Sequence, residues 1–294
     1  MRLFQRQWWF TGLIIGLVLL GVVDVLDTAG VESVDAAFKR ALLGFALARG
    51  LNGVISVAQG TEFSIAPAGV GVNLSPGEIL DPINDLVERF SWIMLLASSA
   101  LGVQKVLLLV SGWYGFSVLL VLCGALLIAL KWLPGRSNLL SVQQAVPLSR
   151  VLSQVFVIVL LLRFAMPLVA LGNEWAYQNF LSQQYTEASS GLSAAQSDIG
   201  DINAATTEAV ATDTQNDTDQ ATPSFIDRAK AVVNVAKNQI DLNQRLEDYR
   251  LAAESVSENA IALIVVFILQ TIVFPLLFLW IIYRLCGRLF RRID

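Results

Sequence analysis

The chain has 294 residues, of which 55% are hydrophobic and only 15% charged, with a formal net charge of −4 and no histidine. A soluble domain carries about 25% charged side chains, so this composition calls for an integral membrane protein. It excludes histidine-ligated metal sites and a Ser-His-Asp relay, and the acidic balance argues against nucleic acid as a partner.

A hydrocarbon core of about 30 Å needs roughly 20 apolar residues as helix. Four runs meet that length: 8–26, 106–130, 151–171 and 261–282. Arg2 and Arg6 precede the first, as they would a signal peptide. Val23-Asp24-Val25 and Asp27-Thr28-Ala29 put charge where a cleavage site needs small residues, so the run is expected to stay as an uncleaved anchor.

Residues 35–49 follow as an expected amphipathic helix, with Phe38, Leu42, Phe45 and Ala48 on its inner face. Alternation at Phe63-Ser64-Ile65 and from Val70 to Leu74 predicts two small strands about a Pro67-Ala68-Gly69 turn. A lone hairpin is marginal in water, so it should rest on another element or subunit. Gly69-Val70-Gly71 lacks the Lys-Ser/Thr pair of a phosphate loop.

Asp81-Pro82 reads as a helix start, with Ile83, Leu86, Val87 and Phe90 on one face. That helix is expected along the outer membrane surface, as an anchor or as a vestibule or lipid-contact element. Residues 91–103 are apolar but short and are followed by Lys105, so residues 90–102 are expected at the interface or re-entrant. The alternative folds residues 91–130 as two crossings, giving five spans.

Orientation follows the lysines and arginines. Arg2 and Arg6, then Lys131, Arg136 and Arg150, then Arg284, Arg288, Arg291 and Arg292 flank the runs on one side, which should be cytoplasmic. Both termini then lie inside, with residues 27–105 and 172–258 outside. The second outer segment carries fourteen acidic and five basic side chains.

Arg163 sits within the third span, where exposure to lipid costs about 2.5 to 3.5 kcal/mol on an insertion scale. Asp24, near the outer end of the first span, is the expected partner. Such a pair either holds two helices together, lines an anion path or senses protonation of Asp24. Pro167 and Pro275 can kink their spans, and Gln270-Thr271 offers polar contacts inside the fourth.

Between the last two spans, seven-residue series run through Tyr185, Leu192, Ile199 and Thr206, and through Val235, Leu242, Tyr249 and Val256. Leu246 belongs to a companion series with Val232, Gln239 and Ala253. This seam predicts a coiled-coil-like antiparallel hairpin, whose arms are separated by the helix-breaking stretch 211–224. Asp213, Asp217 and Asp219 share only acidity with a calcium loop, because Thr218 and Ser224 stand where glycine and glutamate are required. Cys123 and Cys286 form no CxxC centre. No cofactor or metal is expected.

The expected fold is therefore an all-α membrane protein with four transmembrane helices, a small extracytoplasmic helix and hairpin segment, and a long antiparallel helical hairpin. The expected function is a non-enzymatic scaffold or assembly factor of the cell envelope, in the bacterial inner membrane. It would act through the hairpin on membrane lipid and on another copy or another envelope protein. The alternative is an oligomeric ion or small-solute channel or transporter using a buried Asp/Arg pair.

Overall fold

The computed structural model describes residues 2–60, 63–65, 72–74, 77–132, 142–214 and 225–293. They form eight α-helices: α1 (Arg2–Val22), α2 (Val25–Gln59), α3 (Gly77–Ser111), α4 (Tyr114–Trp132), α5 (Val142–Ala176), α6 (Ser182–Thr214), α7 (Phe225–Ile268) and α8 (Phe274–Ile293). Single π-helical turns, Tyr177–Leu181 and Leu269–Val273, join α5 to α6 and α7 to α8. Strands β1 (Phe63–Ile65) and β2 (Val72–Leu74) pair antiparallel with Phe63 opposite Leu74, at the expected place. The Pro67-Ala68-Gly69 turn lies outside the described residues.

Among the described residues, four helical stretches are long and apolar enough to cross a membrane: Val25–Gln59, Leu80–Ser111, Ser149–Ala205 and Gln244–Arg288. By length and composition the chain is a multi-pass membrane protein. Only the last two stretches coincide with expected runs: Val25–Gln59 and Leu80–Ser111 fall largely within the segment 27–105 expected outside, and the first two expected runs are broken. Run 8–26 stops at Val22 and restarts at Val25, leaving Thr11–Val22 as a shorter apolar helix. The break has a local cause. Asp24 stands just before α2, a position that favours aspartate, and its carbonyl accepts both the Thr28 amide at 2.9 Å and the Thr28 hydroxyl at 2.8 Å.

Run 106–130 is divided between α3 and α4 at Gly112-Trp113. The Gly112 amide closes the last α-helical turn on the Leu108 carbonyl at 3.0 Å, whereas the Trp113 amide turns back to Val110 at 3.1 Å. Glycine commonly ends helices at such a point. Residues 90–102 are not a separate interfacial piece, since α3 runs through them without interruption. Nor does that helix begin at Asp81: it starts at Gly77, and the Asp81 carboxylate instead accepts the Gln59 side-chain amide at 2.8 Å.

The buried face of α2 matches the expected one only in part. Ala48 is buried and Phe38 and Phe45 are half-buried, but Leu42 is exposed, and Val34, Ala37, Ala41, Leu51, Ile55 and Ala58 are buried as well. In lipid, large apolar side chains lose nothing by facing outward, and small ones let helices approach. A reading that always turns the bulkier residues inward therefore misplaces Leu42 here.

The chain divides into two compact units, the first made of Met1–Arg40, Ala97–Phe180 and Ile268–Asp294, the second of Ala41–Leu96 and Leu181–Phe267. In the first, α1 runs antiparallel to α4. At one end the Trp8 and Trp132 rings meet edge to face at 5.4 Å, and Trp132 Nε1 donates to Thr11 Oγ1 at 3.1 Å. At the other, Ser117 Oγ donates to the Gly21 carbonyl at 2.9 Å. The approach is close enough that a Cβ on Gly124 would lie 2.8 Å from Val18 Cγ2. Phe156, Val159 and Phe164 of α5 complete this core with Ile14, Leu120, Cys123 and Leu127. A second cluster joins Val34, Leu108 and Ala170, and Gly172 receives the Phe278 ring. Leu13, Leu19, Val106, Leu122, Leu276 and Trp280 are among the large apolar side chains left exposed, as a surface for lipid requires. Both cysteines are free thiols.

In the second unit α6 and α7 pass each other antiparallel. Tyr185 meets Phe267 edge to face at 6.0 Å, Gly191 faces Asn259, and the Tyr249 hydroxyl donates to Asn203 Oδ1 at 2.7 Å. Leu192, Ile199, Tyr249 and Val256 are fully buried and Leu246 is half-buried. The side chains of Val235 and Leu242 lie outside the described residues, as do those of Asp213, Asp217 and Asp219.

Candidate functional site

Helix breaks create the site. An α-helix leaves its last four carbonyls without intrahelical donors, and α1 ends at Val22, so the Gly21 carbonyl is one of them. Ser117 of α4 satisfies it at 2.9 Å. The same hydroxyl oxygen accepts Arg163 Nε of α5 at 3.2 Å. Arg163 Nη1 donates to Asp27 Oδ1 at 2.7 Å, and Nη2 pairs with Asp27 Oδ2. One polar chain thus ties α1, α4, α5 and α2 together.

The guanidinium uses its planar fork on both carboxylate oxygens, the strong geometry for this pair. Only 2% of the Arg163 side chain is accessible, against 16% for Asp27, so surroundings reach the carboxylate and not the guanidinium. Gly112 lies beside the carboxylate, where a Cβ would meet Asp27 Cγ at 3.5 Å, an ordinary van der Waals contact. Pro167 follows Arg163 by four residues and supplies no amide hydrogen, so the Arg163 carbonyl lacks its helical donor.

The partner is therefore Asp27 and not Asp24, a correction of three residues. Asp24 is exposed, and with Thr28 and Glu32 it lines an open surface depression. It stands in the break between helices, whereas Asp27 lies in the first turn of α2 and shares that helix's phase. Negative charge is favoured in a first turn.

Two further ion pairs use α2. Lys105 Nζ of α3 lies 2.6 Å from Asp35 Oδ1, with both side chains more than a third exposed. Arg40 Nη2 lies 2.6 Å from Glu174 Oε2, with 13% and 20% of the two side chains accessible. The Arg40 guanidinium also stacks 3.7 Å from the Tyr177 ring centre, and Glu174 accepts Gln178 Nε2 at 2.7 Å. Sequence reasoning passed over Asp27, Asp35, Arg40, Lys105, Ser117 and Glu174 as members of a site. The available signal was on α2, where five charges of mixed sign, Asp27, Glu32, Asp35, Lys39 and Arg40, occur within fourteen positions of an apolar helix.

Gln270 is fully buried in the second π-helical turn. Neither its Nε2 nor its Oε1 has a hydrogen-bond partner among the described residues. Beside it, the Thr271 carbonyl accepts Gln104 Nε2 of α3 at 3.5 Å. Among the described residues no cluster of three His, Cys, Asp or Glu side chains is arranged to hold a metal ion.

No protein-family model, curated protein or solved structure matches this chain.

Proposed function

We propose that the chain is the subunit of an oligomeric membrane conduit, a channel or transporter for an ion or small solute, working through the Asp27–Arg163 pair. The carrying observation is Arg163 itself: a guanidinium almost wholly buried in an apolar unit and held by a carboxylate that stays partly accessible. A buried ion pair contributes little that well-packed apolar side chains would not, because desolvation offsets most of the attraction. Ionisable groups inside a membrane protein instead mark paths for ions and solutes.

The pair has the chemistry of a switch. A cation that reaches the accessible Asp27 carboxylate can take it in the guanidinium's place. That exchange opens four tied helices at one point, next to the backbone weakened by Pro167.

Reconstitution into liposomes tests this reading. The expected result is flux of at least one ion or small solute above that of empty vesicles, abolished in a folded Asp27→Leu/Arg163→Met double variant. Flux from the double variant equal to the wild type, or none from the wild type across salts and neutral solutes, would overturn it.

A second reading, a scaffold or assembly factor of the bacterial inner membrane, draws support from the buried seam of α6 and α7 around Leu192, Ile199, Tyr249 and Val256. In it both termini are cytoplasmic and the helical arms are extracytoplasmic, where they bind another copy or another envelope protein. Asp248 is exposed on α7. An Asp248→Cys variant should react with a membrane-impermeant maleimide from outside the cell; labelling only after the cytoplasm is opened would end this reading.

A further inference from the structure

The π-helical turn at Leu269–Val273 has an identifiable cause. Pro275 has no amide hydrogen to offer four residues back, to the carbonyl of Thr271. The helix yields by one register, so that the Phe274 amide reaches the Leu269 carbonyl across five residues. Gln104 compensates from α3, but only at 3.5 Å, the long limit of a hydrogen bond. Such turns recur at functional positions because they widen the helix and re-aim its side chains.

Gln270 is the side chain that this widening points inward. It is 0% exposed, yet among the described residues it has no partner for either its donor or its acceptor. Buried polar groups without protein partners are normally satisfied by ordered water. On α5, Asn173 is also buried with its Oδ1 unpartnered, next to the Gly172–Phe278 contact. Phe278 is eight residues from Gln270, or about 12 Å at 1.5 Å per residue. Buried polar atoms without a partner among the described residues thus occur at two levels of the first unit.

We infer that the π-helical turn around Gln270 is an internal binding site for water, or for a neutral solute small enough to replace it and able both to donate and to accept a hydrogen bond. The inference deepens the conduit reading and rests on it for its purpose: Gln270 is the polar constriction, where a permeant molecule exchanges its hydration for an amide. A primary amide suits that role, since it offers one group of each kind and carries no charge to trap an ion.

Water is the probe. In full-length protein in detergent, with glutamine side chains labelled by nitrogen-15, the Gln270 amide signal is assigned by its loss in Gln270→Leu. It is expected to receive magnetisation from water on a sub-second scale. Thermal unfolding supplies an independent arm. A dry, unpartnered amide is destabilising, so its replacement by the similarly sized leucine would raise Tm by at least about 2 °C. A hydrated amide predicts no rise. In liposomes, osmotic shrinkage of wild-type vesicles should exceed that of Gln270→Leu vesicles. No transfer from water together with a raised Tm overturns the hydration site whatever the flux. Transfer from water with no wild-type permeation upholds the site and removes the conduit reading alone.

Discussion

Asp27→Ala is expected to cost about 3 to 5 kcal/mol of stability, the range for leaving a buried charge without its partner. Arg163 is 2% accessible and has two of its three nitrogens on that carboxylate, so nothing else replaces the lost acceptors. Arg163→Lys keeps the charge but gives up the planar fork and the Ser117 contact, and should recover little. The double variant Asp27→Leu/Arg163→Met removes both charges and should regain most of the loss. Asp24→Ala is the control. Asp24 is exposed in the break before α2, and its replacement should cost well under half as much as Asp27→Ala. Equilibrium unfolding in detergent measures all of these. Equal losses for Asp24→Ala and Asp27→Ala, or a double variant no better than the worse single one, would show that the pair does not hold these helices.

The double variant also separates structure from activity. If the pair serves only to tie helices, the apolar replacement preserves whatever the protein does. If the pair is the working element, the same folded variant is inactive. Stability and flux measured on one preparation therefore decide between two roles that a single substitution would confound.

Tyr249→Ala should cost a similar amount, about 3 to 5 kcal/mol, the range for deleting a large buried aromatic side chain. Tyr249 is fully buried, and its hydroxyl donates to Asn203 Oδ1. Asn203 Nδ2 in turn donates to the Val54 carbonyl at 2.8 Å, so the ring anchors a polar relay from α7 through α6 to α2. Tyr249→Phe keeps the ring but removes its hydrogen bond to Asn203, and should cost about 1 kcal/mol. Protease nicking within α7 offers a local readout, expected to accelerate in Tyr249→Ala and much less in Tyr249→Phe. A Tyr249→Ala protein as resistant as the wild type would contradict the packing of the seam.

Much of this architecture was written locally. The seven-residue spacing of Leu192, Ile199, Tyr249 and Val256 puts them on one stripe of each helix, and that stripe is buried. Alternation in Phe63-Ser64-Ile65 and Val72-Asn73-Leu74 marked two strands that pair in the expected antiparallel sense. Asn203 had no such signal. A polar residue on a seam is legible only with its partner, and Tyr249 lies 46 positions away.

Apolar run length and seven-residue periodicity depend on each residue and its near neighbours, so the sequence by itself determined a multi-pass membrane chain with a buried seam between its last two long apolar runs. Which carboxylate meets Arg163 depends on helix phase, and phase is reset where α1 stops and α2 begins; only the folded protein decided for Asp27 over Asp24. The same holds for Leu42 of α2, which turns outward beside the buried Ala41 because lipid accepts large apolar side chains as readily as the protein interior does, so hydrophobicity alone could not place it.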